Sequence, residues 1–217
     1  MNSQQQFTPA LRFKPLTGLY DFLIGITFPE KKIKQALLEQ GDLKNDFEVL
    51  DFGSGTATFL IMGKQQYPEI NFSGLDVDGE ILKIAGIKIK KENVNVKLVR
   101  YDGSHFPIAD KLFDRIFSTL VFHHLSTKNK KIALSEIFRV LKDDGELHIA
   151  DFGKAKNGAT RLLFHFFRFF DGLENTSVNA EGKLMEMIRE AGFSNAQSLN
   201  NFNTAFGMVE LIKATKN

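Results

Sequence analysis

The stretch from Val49 to Thr58 reads Val-Leu-Asp-Phe-Gly-Ser-Gly-Thr-Ala-Thr, and it decides how the rest of the chain is interpreted. An apolar run ends at a carboxylate, passes two glycines one residue apart, and continues into the apolar segment Phe59 to Met62. This pattern predicts a buried strand that turns tightly into a helix. Glycine permits a positive φ and leaves space beside the backbone, and the first amides of a helix are free donors. We therefore expect a nucleotide-type ligand at this turn.

Three classes of ligand use such a turn, and the local residues separate them. A phosphate-binding P-loop closes with a Lys-Ser or Lys-Thr pair, and none follows Gly55. A dinucleotide turn has a third glycine where this chain has Thr58, and Asp51 would repel a pyrophosphate. A cationic ligand without phosphate fits better. S-adenosylmethionine, which carries an ammonium and a sulfonium group, is the common cofactor of that kind.

The turn resembles the first motif of the class I S-adenosylmethionine-dependent methyltransferases, an apolar strand followed by Asp/Glu-x-Gly-x-Gly-x-Gly. Asp51, Gly53 and Gly55 match this motif, and Ala57 stands at the third glycine. The resemblance covers roughly residues 45 to 155 and is strongest to small-molecule methyltransferases similar to those of ubiquinone and menaquinone biosynthesis. It implies that Asp51 faces the cationic amino acid end of the cofactor. The turn residues expected around that end are Gly53, Ser54, Gly55 and Thr56.

Length and composition are those of one α/β domain. The chain has 217 residues and a formal net charge of +2, so no nucleic-acid partner is expected. Cysteine is absent, which excludes disulfides and thiolate chemistry. Since the N-terminus lacks the features of a secretory signal, we expect a cytoplasmic protein. We predict a single methyltransferase domain over 1–217, with an N-terminal helical lid or cap at 1–44 and a substrate-side insertion after the fifth strand at 154–193.

Acidic residues follow the next two predicted strands. Asp76 closes the second strand about twenty residues beyond the glycine turn, where a carboxylate accepts hydrogen bonds from both ribose hydroxyls. Val77 is expected against the adenine ring, and Asp78 is expected to cap the following helix. In the resembled family, a residue at the position of Asp102 accepts from the adenine amino group, and Gly103 would let the backbone approach. A nicotinamide-dependent oxidoreductase would share Asp76 and remains an alternative.

The fourth predicted strand ends at Ser118 and Thr119, which we expect to contact the methionine part of the cofactor. His123 and His124 follow, at the edge where open α/β sheets bind ligands. Either histidine could be a general base, with His124 slightly favoured by the resemblance, or could only hold the turn. No metal site is expected, because adjacent histidines lack an evident third ligand. A non-catalytic cofactor-binding module is the second alternative to an enzyme.

The predicted fold is a Rossmann-like three-layer sandwich, a seven-stranded, mostly parallel sheet that ends in an antiparallel hairpin between Phe202 and Ala214. The acceptor is expected to be small and hydrophobic or aromatic. Tyr20, Phe164 and Arg168 are the candidate acceptor contacts, since acceptor pockets in the resembled fold are made by the N-terminal and post-strand-five segments that carry these residues. The phenylalanine-rich stretch from Phe164 to Phe170 fits core packing, a pocket wall or peripheral membrane contact. Oligomeric state is not predicted.

Overall fold

The computed structural model describes residues 29–153, 183–204 and 207–217. These residues form one seven-stranded sheet in the order β3-β2-β1-β4-β5-β7-β6. The strands are β1 Glu48–Phe52, β2 Asn71–Asp76, β3 Lys97–Arg100, β4 Phe113–Thr119, β5 Leu141–Phe152, β6 Ser194–Thr204 and β7 Gly207–Thr215. The helices are α1 Glu30–Gln40, α2 Thr58–Gln66, α3 Gly79–Lys91, α4 Thr127–Val140 and α5 Leu184–Glu190, with one 3-10 turn at Phe122–His124. The predicted sheet is confirmed.

Strands β1 to β5 are parallel to one another, β7 runs in the opposite direction, and β6 runs in the direction of β1 to β5 again. Strand β7 lies antiparallel between β5 and β6, and the β6–β7 pairing confirms the predicted C-terminal hairpin. Strand β6 begins at Ser194, earlier than the sequence suggested. The carboxyl ends of β2, β1 and β4 are neighbours in the sheet, because Asp51 pairs with Gly74 on one side and with Phe117 on the other. The ends of these three strands carry most of the predicted cofactor residues.

Two apolar layers cover the faces of the sheet. On one face, α1, α2 and α3 pack through buried residues such as Leu37, Leu60 and Ala85. On the other, α4 and α5 pack through residues such as Ile137 and Ile188. Strands β1 and β4 are accordingly buried along almost their whole length, since a parallel strand covered on both faces has no side that faces water.

Like β6, strand β5 begins earlier than the sequence pattern indicates. The sequence suggested that this strand begins at Gly145, whereas it begins at Leu141, directly after α4. Leu141 pairs with Phe113, and the register then shifts before Arg115 pairs with Glu146. The acidic turn residue Asp144 takes a positive φ of 62° within this irregular segment.

The predicted lid at Tyr20 and the predicted acceptor contacts Phe164 and Arg168 lie outside the described residues. Within the described ranges, no helix has the length and apolar character needed to cross a bilayer.

Candidate cofactor and active site

The turn after β1 has three residues in the left-handed backbone region. Gly53 has a φ of 72°, Gly55 of 52° and Ala57 of 62°. Ala57 therefore adopts the conformation that its position demands although it has a Cβ, and it immediately precedes α2. The backbone at the third position of the glycine motif thus keeps the left-handed conformation, and the methyl group of Ala57 is fully buried.

The two glycines have different reasons to lack a side chain. A Cβ at Gly53 would lie 2.3 Å from Cγ2 of Val121, because the segment after β4 packs directly onto the turn. A Cβ at Gly55 would meet no atom within 4 Å. Gly53 is therefore needed for packing within the protein, whereas the space beside Gly55 is open and can admit a ligand.

Four buried polar atoms at this edge of the sheet have no hydrogen-bond partner among the described residues. They are Asp51 Oδ1, Ser54 Oγ, Ser118 Oγ and Thr119 Oγ1. Buried polar atoms in folded proteins are normally paired, so a group of unpaired ones indicates a missing ligand. All four belong to residues that the sequence analysis places around the amino acid end of the cofactor, which fits an ammonium donor as their partner.

Asp51 is the most perturbed of these groups. Burial raises the pKa of its carboxyl from 3.8 to about 7, with Lys34 opposing the shift and Asp76 adding to it. An isolated buried carboxylate is unfavourable, so the site is complete only when a cation or proton lies beside it. This electrostatic demand matches a cationic ligand and opposes a pyrophosphate.

Asp76 holds the turn and the next helix in place. Its Oδ2 accepts from the Gly55 amide at 2.8 Å, and its Oδ1 accepts from the Asp78 amide at 3.0 Å. A carboxylate has about four lone-pair positions, so one on each oxygen is left for a ribose hydroxyl. Asp78 caps α3 by accepting from the amides of Glu80 and Ile81, which confirms the predicted cap.

The residues that follow β2 and β3 in the sequence form the side of the site where adenine is expected. A Cβ at Gly103 would lie 3.8 Å from Cγ1 of Val77, so the two predicted adenine contacts are neighbours. Asp102 is exposed, and its Oδ1 accepts from the amides of Ser104 and His105 at 2.9 and 3.2 Å. The Ser104 hydroxyl also donates to Oδ1 at 2.7 Å, and this bond, followed by the two amide bonds, holds the pKa of Asp102 below its ordinary value. The second carboxylate oxygen, Oδ2, makes none of these bonds.

A histidine–aspartate pair lies beyond β4. Nδ1 of His123 is 2.9 Å from Oδ1 of Asp151, and the His123 amide donates to Oδ2 at 3.3 Å. Both side chains are buried, and Asp151 is the penultimate residue of β5, which lies next to β4 in the sheet. Burial alone would raise the pKa of Asp151, but the charge and hydrogen bond of His123 hold it below its ordinary value. The neighbouring His124 is exposed, with its ring centroid 3.9 Å from that of His123.

Comparison with known proteins gives the same interpretation as this geometry. A family model described as a methyltransferase domain matches residues 49–145. A demethylmenaquinone methyltransferase of Lactobacillus johnsonii is 29% identical over 185 residues, which cover 76% of this chain and 73% of the relative. A ubiquinone/menaquinone biosynthesis C-methyltransferase, UbiE, of Haemophilus ducreyi is 25% identical over 204 residues, covering 84% of this chain and 77% of the relative.

This chain carries an S-adenosylmethionine-dependent methyltransferase domain. Its fold agrees with that of a solved S-adenosylmethionine-dependent methyltransferase from Aquifex aeolicus, with a TM-score of 0.67 at 21% identity, covering 91% of this chain and 98% of the other. The methyltransferase uses S-adenosylmethionine to methylate a small-molecule acceptor.

One residue of the candidate site, Asp151, was not predicted from the sequence. Its hydrogen bond to His123 spans 28 positions of the chain. Its position at the carboxyl end of β5, beside the strand that precedes the histidines, was the available signal, because parallel strand ends lie at one edge. Thr56, which was predicted to contact the cofactor, is exposed, and its role stays a prediction.

Proposed function

We propose that the methyltransferase acts on a hydroxylated aromatic acceptor of the hydroquinone class and that His123 is its general base. The two relatives carry names that refer to demethylmenaquinone and to ubiquinone and menaquinone biosynthesis, which supports a quinone-type ring as the acceptor. The single observation that carries the assignment of the base is the buried His123–Asp151 pair at the cofactor edge of the sheet.

The cofactor residues form the first part of the proposal. Asp51, Ser54, Ser118 and Thr119 would hold the methionine part, because their buried polar atoms lack other partners. Asp76 would accept from the ribose hydroxyls, and Val77, Asp102 and Gly103 would line the adenine. When bound, S-adenosylmethionine supplies an electrophilic methyl group, and the electrons of the broken bond leave with sulfur.

Asp151 determines which nitrogen of His123 can act as the base. An ionised carboxylate only accepts hydrogen bonds, so Nδ1 carries the proton and Nε2 keeps a lone pair. Nε2 then takes the proton of a ring hydroxyl, which makes the adjacent ring carbon a nucleophile. Asp151 stabilises the imidazolium that forms. His123 is buried beside Asp151 whereas His124 is exposed, which is why we take His123 as the base rather than His124, the histidine that the family resemblance slightly favours.

The test is transfer of a labelled methyl group from S-adenosylmethionine to a prenylated naphthohydroquinone, beside a matched ring without hydroxyl groups and a small amine. We expect product only from the hydroquinone, and methylation of the amine alone would overturn the acceptor class. His123→Gln is expected to lower kcat about 10²- to 10⁴-fold with unchanged S-adenosylhomocysteine affinity. A fall in kcat that is no larger than that of His124→Gln would contradict the assignment of the base.

Tyr20, Phe164 and Arg168 remain proposed acceptor contacts, and the proposed boundaries of the lid and insertion are 1–44 and 154–193. A cytoplasmic location and peripheral membrane contact likewise remain predictions from sequence.

A further inference from the structure

The connection between β3 and β4 is held in place by two side chains of α4. Arg139 donates through Nη2 to the carbonyl of Phe106 at 3.1 Å and through Nη1 to the carbonyl of Ile108 at 2.9 Å. Glu136, one helical turn earlier, accepts from the Phe106 amide at 2.7 Å through Oε2. Both backbone groups of Phe106 are therefore bonded to the same pair of side chains, more than 29 positions away in sequence.

Glu136 and Arg139 also hold each other. Nε of Arg139 is 3.0 Å from Oε1 of Glu136, and Nη2 is 2.8 Å from Oε2, so the pair is bidentate. Their side chains are 14% and 24% exposed, which limits the screening of the pair by water. The hydrogen bond from Arg139 holds the pKa of Glu136 below its ordinary value. Planar, charge-assisted pairs of this kind hold their geometry well.

The clamped residue Phe106 lies next to the cofactor edge. Its fully buried ring is 5.5 Å from the ring of Phe52, the residue after Asp51, and 5.2 Å from the ring of Tyr101, the residue before Asp102. Between Asp102 and Phe106 the chain is a tight turn, because Asp102 accepts from the amides of Ser104 and His105. Asp102 and Phe106 are therefore the two ends of one hydrogen-bonded turn.

We propose that Arg139 and Glu136 are positioning residues for cofactor binding, which place Asp102 and Gly103 against the adenine by clamping Phe106 from the far side of the loop. Neither residue touches the cofactor in this arrangement. The inference rests on the adenine contact proposed for Asp102, and it adds a second layer of residues on α4 that the glycine motif does not contain.

The geometry requires arginine at position 139. Its guanidinium serves the carbonyls of Phe106 and Ile108, the Glu136 carboxylate and the Asp110 carboxylate at once. Lysine keeps the charge but has a single side-chain nitrogen, which cannot reach all the acceptors that the three guanidinium nitrogens of Arg139 reach. Arg139→Lys should therefore behave like a loss of the clamp, although the charge is unchanged.

Amide hydrogen exchange of the full chain tests the clamp without the cofactor. In Arg139→Met and Arg139→Lys, we expect exchange of the Phe106 and Ile108 amides to rise at least about tenfold while amides of β1 and β4 keep their rates. Lys131→Met is the matched control, since Lys131 lies on the same helix and pairs with Glu190 with both side chains 61% exposed. Unchanged exchange at Phe106 would overturn the clamp. Should Arg139→Met fail to fold, Glu136→Gln carries the test through the Ile108 amide, which donates to the Phe106 carbonyl at 2.7 Å. This substitution keeps an acceptor for the Phe106 amide but loses the ion pair with Arg139, so unchanged exchange at Ile108 would then overturn the clamp.

Calorimetric titration with S-adenosylhomocysteine then tests the link to the cofactor. We expect Arg139→Met to weaken binding about tenfold, and Asp102→Ala to weaken it by a similar factor. The two effects should not add in the double variant, because both act on one contact. Full additivity would overturn the positioning role. A third outcome is possible, in which the Arg139 variants exchange faster at Phe106 but Asp102→Ala binds S-adenosylhomocysteine with normal affinity. This outcome would support the clamp on Phe106 and would remove Asp102 from the proposed cofactor site.

Discussion

Asp51 is a buried carboxylate whose Oδ1 has no partner among the described residues, so it should destabilise the cofactor-free protein at high pH. Its pKa is about 7 in the folded chain and near 3.8 when unfolded. A raised pKa means that the stabilising contribution of the protonated form is lost as pH rises from about 4 through 7. Asp51→Asn should therefore raise the free energy of unfolding at pH 8 by up to about 4 kcal/mol, as measured by urea denaturation without cofactor.

The same measurement at pH 4 is the control for this prediction. There Asp51 is protonated in the folded chain, so the gain from asparagine should nearly vanish. A gain that is equal at both pH values would mean that charge burial is not its cause.

Ala57 has a φ of 62° at a position where the family motif has glycine. The left-handed conformation costs a residue with a Cβ about 1–2 kcal/mol, and a buried methyl group returns about 0.8 kcal/mol. Ala57→Gly should therefore stabilise the protein by about 0.5–1 kcal/mol in urea denaturation. A loss of stability would indicate that packing of the methyl group outweighs the backbone strain.

The glycine turn and the segment after β4 form one packed unit, because Gly53 faces the side chain of Val121. Gly53→Ala adds a Cβ at a positive φ into a distance of 2.3 Å, and we expect a loss of about 2–4 kcal/mol of stability. Val121→Ala removes the clash but not the φ, so the double variant should recover roughly half of that loss in a double-mutant cycle. Additive losses would show that the two elements do not press on each other.

Four elements of the molecule meet at a buried polar network around Glu146. Its carboxylate pairs with Arg115 at 3.2 Å on β4, with His148 at 3.1 Å on β5 and with Lys213 at 2.7 Å on β7. Gln40 at the end of α1 joins through Nδ1 of His148 at 3.1 Å. Burial opposes the charge of Glu146, but these partners lower its pKa to about 2, and burial lowers the pKa of His148.

Acid should weaken this network. The pKa values of Glu146 and His148 are both lower in the folded chain than in the unfolded chain, so both residues stabilise the folded chain at neutral pH. As the pH falls, the contribution of His148 is lost first, below about 6.5, and that of Glu146 is lost next, below about 4.5. Glu146→Gln should cost about 1–2 kcal/mol at pH 7, and the difference from the unaltered chain should shrink towards pH 3 in denaturant titrations. A constant difference would exclude ionisation as the source.

Residues that act near their own strand end could be predicted from the sequence. Asp51, Asp76 and the Asp78 cap follow from apolar runs that stop at a carboxylate, and parallel strands bring such ends to one edge. The C-terminal hairpin likewise follows from local alternation. Pairings between distant segments could not be predicted, because no local pattern specifies the partner. Asp151 with His123, and Arg139 with Phe106, depend on the sheet order and on the helix face that meets the loop.

Sequence alone could not rank the two histidines for the same reason. His123 and His124 are adjacent in the 3-10 turn, and only the folded chain turns one towards Asp151 and leaves the other exposed. The left-handed Ala57 shows the opposite case, in which the motif specifies the backbone even though the residue differs.

The central claim is that the turn after β1 binds a cation through Asp51. Calorimetric titration of Asp51→Asn with S-adenosylhomocysteine and with methylthioadenosine, which lacks the amino acid end and its ammonium group, tests this claim directly. We expect the substitution to weaken S-adenosylhomocysteine binding at pH 8 at least about tenfold and to leave methylthioadenosine binding unchanged. Equal losses for both ligands, or no loss for either, would contradict the account.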